Sequence, residues 1–394
     1  NSLRTYDFKG KRVLLRVDFN VPMENGLVTD DKRIVASLPT IRYLLDQGAS
    51  IVIMSHLGRP MGEYNVEFSL KPVAEKLSEL LGKPVKFLGA PCVYSKEVEK
   101  EAKALLPGEI AMIENTRFRK EEEVNDPKFA KDLATLGEVY VNDAFGTSHR
   151  SHASNVGVSE LLPSCLGLLL EKEVEVMGKI LANPPRPFVA ILGGAKVSDK
   201  LGVIRNLINK VDKIVIVGAM AFTFLKGQGY NVGKSLVEND LIDLSKELLE
   251  EAKKKGVKII LPIDIVETEE IVEGGEYKTV DIDSMDSNLM GVDIGEKTLH
   301  LIEGELSDAL TVLWNGPAGV FEIPEYSKGT FGIAKAVADM DGIKVIGGGD
   351  SALAIEKSGL SDKMTHISTG GGASLELLEG KVLPGISAIV GVEN

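Results

Sequence analysis

The chain has 394 residues, with 45 Lys and Arg against 58 Asp and Glu, so its formal net charge is −13. That balance argues against a generic nucleic-acid binder, which needs a basic face for phosphates, yet a local group of arginines could still hold a small anion. A chain of this length exceeds the roughly 250–300 residues that one hydrophobic core holds, so two domains are expected, and at 44% hydrophobic residues each has ample apolar material to fold.

Two cysteines, Cys92 and Cys165, cannot build a disulfide framework and fit a reducing compartment. The opening NSLRTYDFKG lacks a charged-then-apolar leader. The longest apolar run, around Leu161–Leu170, carries Pro163 and stops at Glu171, short of the ~20 residues a membrane span needs. A soluble, cytoplasmic chain is expected.

In chain order, the first half offers aliphatic runs at Arg12–Val17, Ile51–Met54, Val85–Leu88, Ile110–Ile113 and Val139–Asn142. The second half offers Phe188–Leu192, Lys213–Val217, Lys258–Pro262, Thr311–Trp314 and Ile343–Gly347. Continuous rather than alternating runs mark strands buried on both faces, hence parallel sheets between helices. Ser69–Gly82 and Leu241–Gly256 have helical spacing and end in glycine. Strand alternating with helix is α/β. Between the halves, Leu166–Pro185 reads as a helix halted by Asn183-Pro184-Pro185, a candidate connector and hinge; an ordinary surface helix is the alternative.

Ligands of open parallel sheets bind beyond the carboxyl ends of the strands. In the first half those loops carry Asp18 and Asn20, then Arg33 at the start of a predicted helix, His56 and Arg59, Arg117, and finally His149, Arg150 and His152. Arginine pairs bidentately with carboxylate or phosphate, so four arginines and up to three histidines converging on one sheet edge would make an anion pocket. Asp18 and Asn20 could orient these arginines or bind a substrate hydroxyl.

The second half supplies glycines. In LGGAKVSDK, Gly193 and Gly194 let the backbone approach a phosphate, and Lys196 and Lys200, four apart, are expected on one helix face. GGGDS at Gly347–Ser351 adds the carboxylate of Asp350, suited to Mg²⁺ beside nucleotide phosphates, and the Ser351 hydroxyl. STGGGAS at Ser368–Ser374 offers three consecutive amides before a helix, and WNGPAGVFE places Asn315, Pro317 and Glu322 at another strand end. An anion pocket in one half, a polyphosphate cradle in the other and no evident nucleophile fit phosphoryl transfer, whose catalysis is mostly positioning and charge stabilisation.

Other patterns fail. GKS at Gly233–Ser235 lacks the P-loop glycine where Gln228 stands, and no GxGxxG follows the first strand of either half. Neither the protein-kinase motifs nor a GxSxG elbow, paired cysteines or HExxH is present. Cys92 and Cys165 read as inert, and His300 and His366 as structural. Two rivals remain at this level, a nicotinamide-dependent oxidoreductase, weakened by the missing fingerprint, and a non-enzymatic anion clamp, which would not need a Mg-nucleotide site.

The ordered set VDFNVP, SHLGRP, ENTRF, NDAFGTSHR, LGGAKVSDK, WNGPAGVFE, GGGDSALA and STGGGASLE closely resembles the phosphoglycerate kinase family across essentially the whole length. The resemblance implies two Rossmann-like domains joined by a connecting helix and hinge: residues 1–165 binding phosphoglycerate, 166–185 connecting, 186–380 binding nucleotide, and 381–394 returning to the first domain. It implies reversible phosphoryl transfer from 1,3-bisphosphoglycerate to ADP by domain closure, without a covalent intermediate, in a monomer whose partners are these small molecules and neither nucleic acid nor membrane. By the same resemblance Asp18, Phe19, Asn20, Arg33, His56, Leu57, Gly58, Arg59, Arg117 and Arg150 hold the glycerate substrate. Gly194, Ala195, Lys196, Lys200, Gly218, Gly291, Asn315, Pro317, Glu322, Gly348, Gly349, Asp350 and Ser351 hold the nucleotide, with Asp350 on Mg²⁺. Arg33, Lys196, Lys200 and the amides of Gly370, Gly371 and Gly372 would stabilise the group in flight. The turn Val217-Gly218-Ala219 has fewer glycines than the family pattern.

Overall fold

The computed structural model describes residues 2–390, which divide into two compact units. One takes in the chain up to Glu175 and again from Val382; the other is Val176–Lys381.

The first unit is built from β1 (Arg12–Arg16), β2 (Met23–Glu24), β3 (Leu27–Val28), α1 (Lys32–Asp46), β4 (Ser50–Met54), α2 (Lys71–Leu81), β5 (Val85–Leu88), α3 (Lys96–Lys103), β6 (Ile110–Ile113), α4 (Pro127–Ala134), β7 (Val139–Asn142) and β8 (Ser164–Leu166). Its main sheet is wholly parallel, in the order β5-β6-β4-β1-β7-β8. Every residue of β4, β6 and β7 is buried, which is why these strands read as unbroken aliphatic runs. The helices between them start and stop on local chemistry. Ser95 accepts the Val98 amide at the head of α3, Asp126 accepts that of Phe129 ahead of Pro127 in α4, and Gly82 takes the left-handed turn that ends α2. β8 and the β2–β3 hairpin are too short to stand out in the sequence.

α5 (Leu168–Ala182) starts in the first unit and ends in the second, the division falling within the helix after Glu175. The second unit continues with β9 (Phe188–Leu192), α6 (Val197–Leu207), β10 (Lys213–Ile216), α7 (Met220–Gly227), α8 (Ile242–Lys254), β11 (Lys258–Ile260), β12 (Asp264–Thr268), β13 (Lys278–Asp281), β14 (Met290–Ile294), α9 (Glu296–Leu306), β15 (Thr311–Asn315), α10 (Lys328–Asp339), β16 (Ile343–Gly347), α11 (Gly349–Lys357), β17 (His366–Ile367) and α12 (Gly372–Leu378). Its parallel sheet runs β11-β10-β9-β15-β16-β17. Alternate residues feed separate cores on its two faces: Ala190, Leu192, Ile214 and Ile216 on one, Val189, Ile191, Val215, Val312 and Trp314 on the other. A three-stranded antiparallel sheet, β13-β12-β14, was not foreseen. α13 (Pro384–Val390) belongs to the first unit, where the Gly385 amide donates to Ser148 O and Asn142 Nδ2 donates to Gly385 O. The final four residues of the segment expected to return lie outside the described residues.

Both main sheets are α/β layers with parallel strands, as the aliphatic runs predict. In the second, the chain builds outward from β9 to β11, then restarts beside β9 with β15, so the loops after β9 and β15 flank a topological switch point.

Candidate active site

In the first unit the loops after β1, β4 and β6 are tied into one frame. Asn20 Oδ1 accepts the Gly58 amide at 2.8 Å, Arg117 donates to Gly58 O at 3.0 Å, and Asn115 holds Leu57 through both its amide N–H and its carbonyl. Arg33, in the first turn of α1, is half exposed and donates to Asn20 O at 2.8 Å and to Asp18 at 3.3 Å, so the β1 loop steers its guanidinium. Arg59 and Arg150 are exposed.

Two of the expected residues turn their side chains inward, and their backbone amides are bonded within the frame, that of Phe19 to Ser55 Oγ and that of Leu57 to Asn115 Oδ1. Phe19 and Leu57 are buried in the hydrophobic core of the unit, anchoring the loops from below.

The histidines also differ from expectation, which counted them with the cations. His56 is 4% exposed, and burial beside Arg16, Arg117, His152 and Arg33 holds its pKa well below the ordinary value. Burial, opposed in part by Glu122, takes His152 down to about 4. Both rings are therefore neutral at pH 7, and the positive charge belongs to the arginines. Sequence reasoning missed Arg16, a fully buried guanidinium at the end of β1, although a lone charge closing an aliphatic strand was a visible signal.

In the second unit the loops after β9, β10 and β15 cross at backbone distance. The Gly193 amide donates to Asn315 O, the Gly194 amide to Pro317 O, and the Met220 amide to Gly194 O. Gly218 has φ +76°, and a Cβ there would stand 2.6 Å from both N and O of Gly194. Ala219, at φ −62°, needs no glycine, so this turn requires only one.

These loops open into a cavity of about 260 Å³. The expected Gly194, Ala195, Gly218, Gly291, Pro317, Glu322 and Asp350 all line it. The apolar walls were not foreseen: Phe222 from α7, Ile265 from β12, Val292 and Ile294 from β14, with Ala318 and Val320. The antiparallel sheet thus supplies a greasy slot beside the glycine loops, suited to a flat heterocycle. Asp293 also reaches the lining, and burial pushes its carboxyl up to about 7.

At the polar side, Lys196 is exposed and stands in extended backbone just before α6, rather than sharing a helical face with Lys200 as the spacing suggests. Lys200 lies on α6 with its ammonium bonded to Asn315 Oδ1, and burial lowers its pKa, with Asp199 and Asp350 opposing. Asp350 is exposed in the first turn of α11, behind Gly348 and Gly349. The buried Ser351 hydroxyl is already engaged, donating to Gly347 O and accepting from the Gly316 amide, so it fixes the loop geometry. Gly371 precedes α12 at φ +49°, and of the three amides in this turn that of Gly370 donates to Ser368. The amides opening α12 have no acceptor within the helix by geometry.

No cluster of three or more metal-ligating side chains occurs among the described residues. The exposed carboxylates of Asp350 and Glu322 beside the cavity, with two lysines near them, fit a Mg²⁺ carried mainly by phosphate and water, the usual manner for that ion. The two cysteines are free, Cys165 buried and Cys92 exposed, and no helix among the described residues is long and apolar enough to cross a membrane.

A family model described as phosphoglycerate kinase matches residues 3–381. A phosphoglycerate kinase of Finegoldia magna is 59% identical over 98% of each chain, and one of Dictyoglomus turgidum is 55% identical over 98% of this chain and 97% of its own. The solved phosphoglycerate kinase of Coxiella burnetii, 42% identical, superposes with a TM-score of 0.91 and covers 99% of this chain and 98% of that one.

Proposed function

The chain belongs to the phosphoglycerate kinase family, and we propose that its two sets of strand-end loops divide the substrates of that reaction between them. The enzyme is a phosphotransferase with a carboxyl acceptor, moving a phosphoryl group reversibly between 1,3-bisphosphoglycerate and ADP. In this reading the arginines of the first unit hold the glycerate and its phosphate, with Asp18 and Asn20 orienting Arg33. The cavity of the second unit takes adenosine between Phe222, Ile265 and Val292, and leads the phosphates toward Lys196, Lys200 and the α12 amides. Asp350 would hold the Mg²⁺ of the nucleotide, which neutralises phosphate charge when bound.

The attacking oxygen of ADP is an already ionised phosphate oxygen. As the bond from phosphorus to the acyl oxygen breaks, its electron pair leaves on the carboxylate of 3-phosphoglycerate, a weak base, so neither a general base nor a general acid is required. The chain's task is to fix the donor and acceptor oxygens in line and to neutralise the equatorial oxygens of the moving group. Arg33 and Lys200 do this, and Lys200 is effective because partial burial strips the water that would otherwise screen it. Transfer then requires the two loaded units to close on each other and exclude water, which competes for the phosphoryl group. A cytoplasmic monomer is part of the same proposal.

The single observation that carries the division is the cavity at the switch point of the second sheet, lined by the glycines, Glu322 and Asp350 singled out for nucleotide. Its test is ATP formation from 1,3-bisphosphoglycerate and Mg-ADP. Wild type should turn over. Arg33→Met should lose roughly 10²–10³-fold in kcat or more while its Mg-ADP affinity changes little. Full activity in that variant would contradict the role given to Arg33.

A further inference from the structure

Glu122, Ser154, Arg16 and His56 form a chain of buried polar groups beneath the arginine loops, none more than 4% exposed. Its direction is fixed by chemistry. The carboxylate of Glu122 only accepts, taking the Ser154 amide at 2.8 Å on one oxygen and the Ser154 hydroxyl at 2.7 Å on the other. With its proton committed, the Ser154 oxygen accepts from Arg16 Nε at 2.9 Å. Arg16 only donates, and one terminal nitrogen lies 3.1 Å from Nδ1 of His56 while the other serves Val17 O. Nδ1 must then present a lone pair, and the single proton of the neutral ring belongs on Nε2.

We infer that Arg16 is a positioning residue for the phosphoglycerate site: it locks His56 as the neutral Nε2–H tautomer, a hydrogen-bond donor to the anionic substrate and not a cation. The inference rests on the proposed placement of that substrate in the first unit. Protonating Nδ1 would set an N–H against the N–H of a guanidinium, and the other charged groups facing the ring, Arg117 and Arg33, together with His152, oppose it too. Glu122 answers the charge of Arg16 from the far end of the chain. Arginine rather than lysine suits the position, because a planar fork reaches Ser154, Val17 O and His56 at once.

The test is nitrogen-resolved NMR of the histidine rings in the full chain, with the His56 signals identified by their loss in His56→Asn. The wild-type ring should show a pyridine-type Nδ1 and a protonated Nε2 from pH 8 down to pH 6 without titrating, and 3-phosphoglycerate should shift the Nε2–H signal. In Arg16→Gln and Arg16→Lys the ring should lose the single tautomer. Affinity for 3-phosphoglycerate should fall about tenfold, the loss expected for one misplaced hydrogen bond to a charged group, and Mg-ADP affinity should hold. A wild-type proton on Nδ1, or on both nitrogens at pH 7, overturns the inference whatever binds there. The expected tautomer with no response to 3-phosphoglycerate overturns instead the substrate placement on which it rests.

Discussion

Single side chains in this enzyme do different work from what their chemical type suggests. His56 and His152 sit among arginines and are neutral, whereas burial lowers the pKa of the half-buried Lys200 against the opposing pull of Asp199 and Asp350, and Asn315 holds its amine. Lys200→Met preserves the bulk of the stem and removes the charge, so kcat should drop by roughly 10²–10³-fold with a much smaller change in the KM for ADP, measured by steady-state kinetics. Equal losses in binding and turnover would instead place Lys200 in ground-state recognition. Gly218 is a second pressure point. Gly218→Ala forces a left-handed backbone, costing about 1–2 kcal/mol, and drives a methyl group onto the Gly194 peptide. It should lower thermal stability and weaken Mg-ADP binding at least tenfold, while 3-phosphoglycerate binding, read by calorimetry, stays near wild type.

At the level of elements, the start of α5 is set from another loop. Asp143, just past β7, accepts the Leu169 amide at 3.0 Å and lies 3.4 Å from that of Leu170, capping the helix from outside its own sequence. Complete burial pushes its carboxyl up to about 7, against the pull of the Thr40 and Ser37 hydroxyls and those two amides. The folded chain therefore keeps a proton that the unfolded chain releases near pH 4, and this contribution to stability is lost as pH rises through about 7. Asp143→Asn retains the capping oxygen and cannot ionise, so its Tm relative to wild type should climb between pH 5 and pH 8. A Tm difference that is flat across that range would show that Asp143 does not titrate there. The main strands were legible in the sequence because burial on both faces leaves no polar alternation to confuse them. DIVET, KTVD and MGVDI were not, since short mixed-polarity runs carry no clear period, and with them went the apolar wall of the cavity. Glycine and arginine loops showed themselves through composition. The inward turn of Phe19 and Leu57, the engaged hydroxyl of Ser351 and the protonation of His56 depend on neighbours distant in the chain, which spacing along it does not reveal.

Over the whole molecule, the proposed division of labour gives the glycerate phosphate to guanidinium groups at the sheet edge of the first unit and the nucleotide to peptide loops at the switch point of the second. Hydrogen exchange of the intact enzyme with each ligand alone reads that division directly, because bound loops open less often and exchange more slowly. With 3-phosphoglycerate, protection should appear in the loops after β1, β4, β6 and β7 and at the start of α1, leaving the loops after β9, β15 and β16 unchanged. Mg-ADP should give the reverse pattern, reaching also β14 and α7. Coincident footprints for the two ligands, or Mg-ADP protecting the arginine loops while the cavity of the second unit exchanges freely, would contradict it.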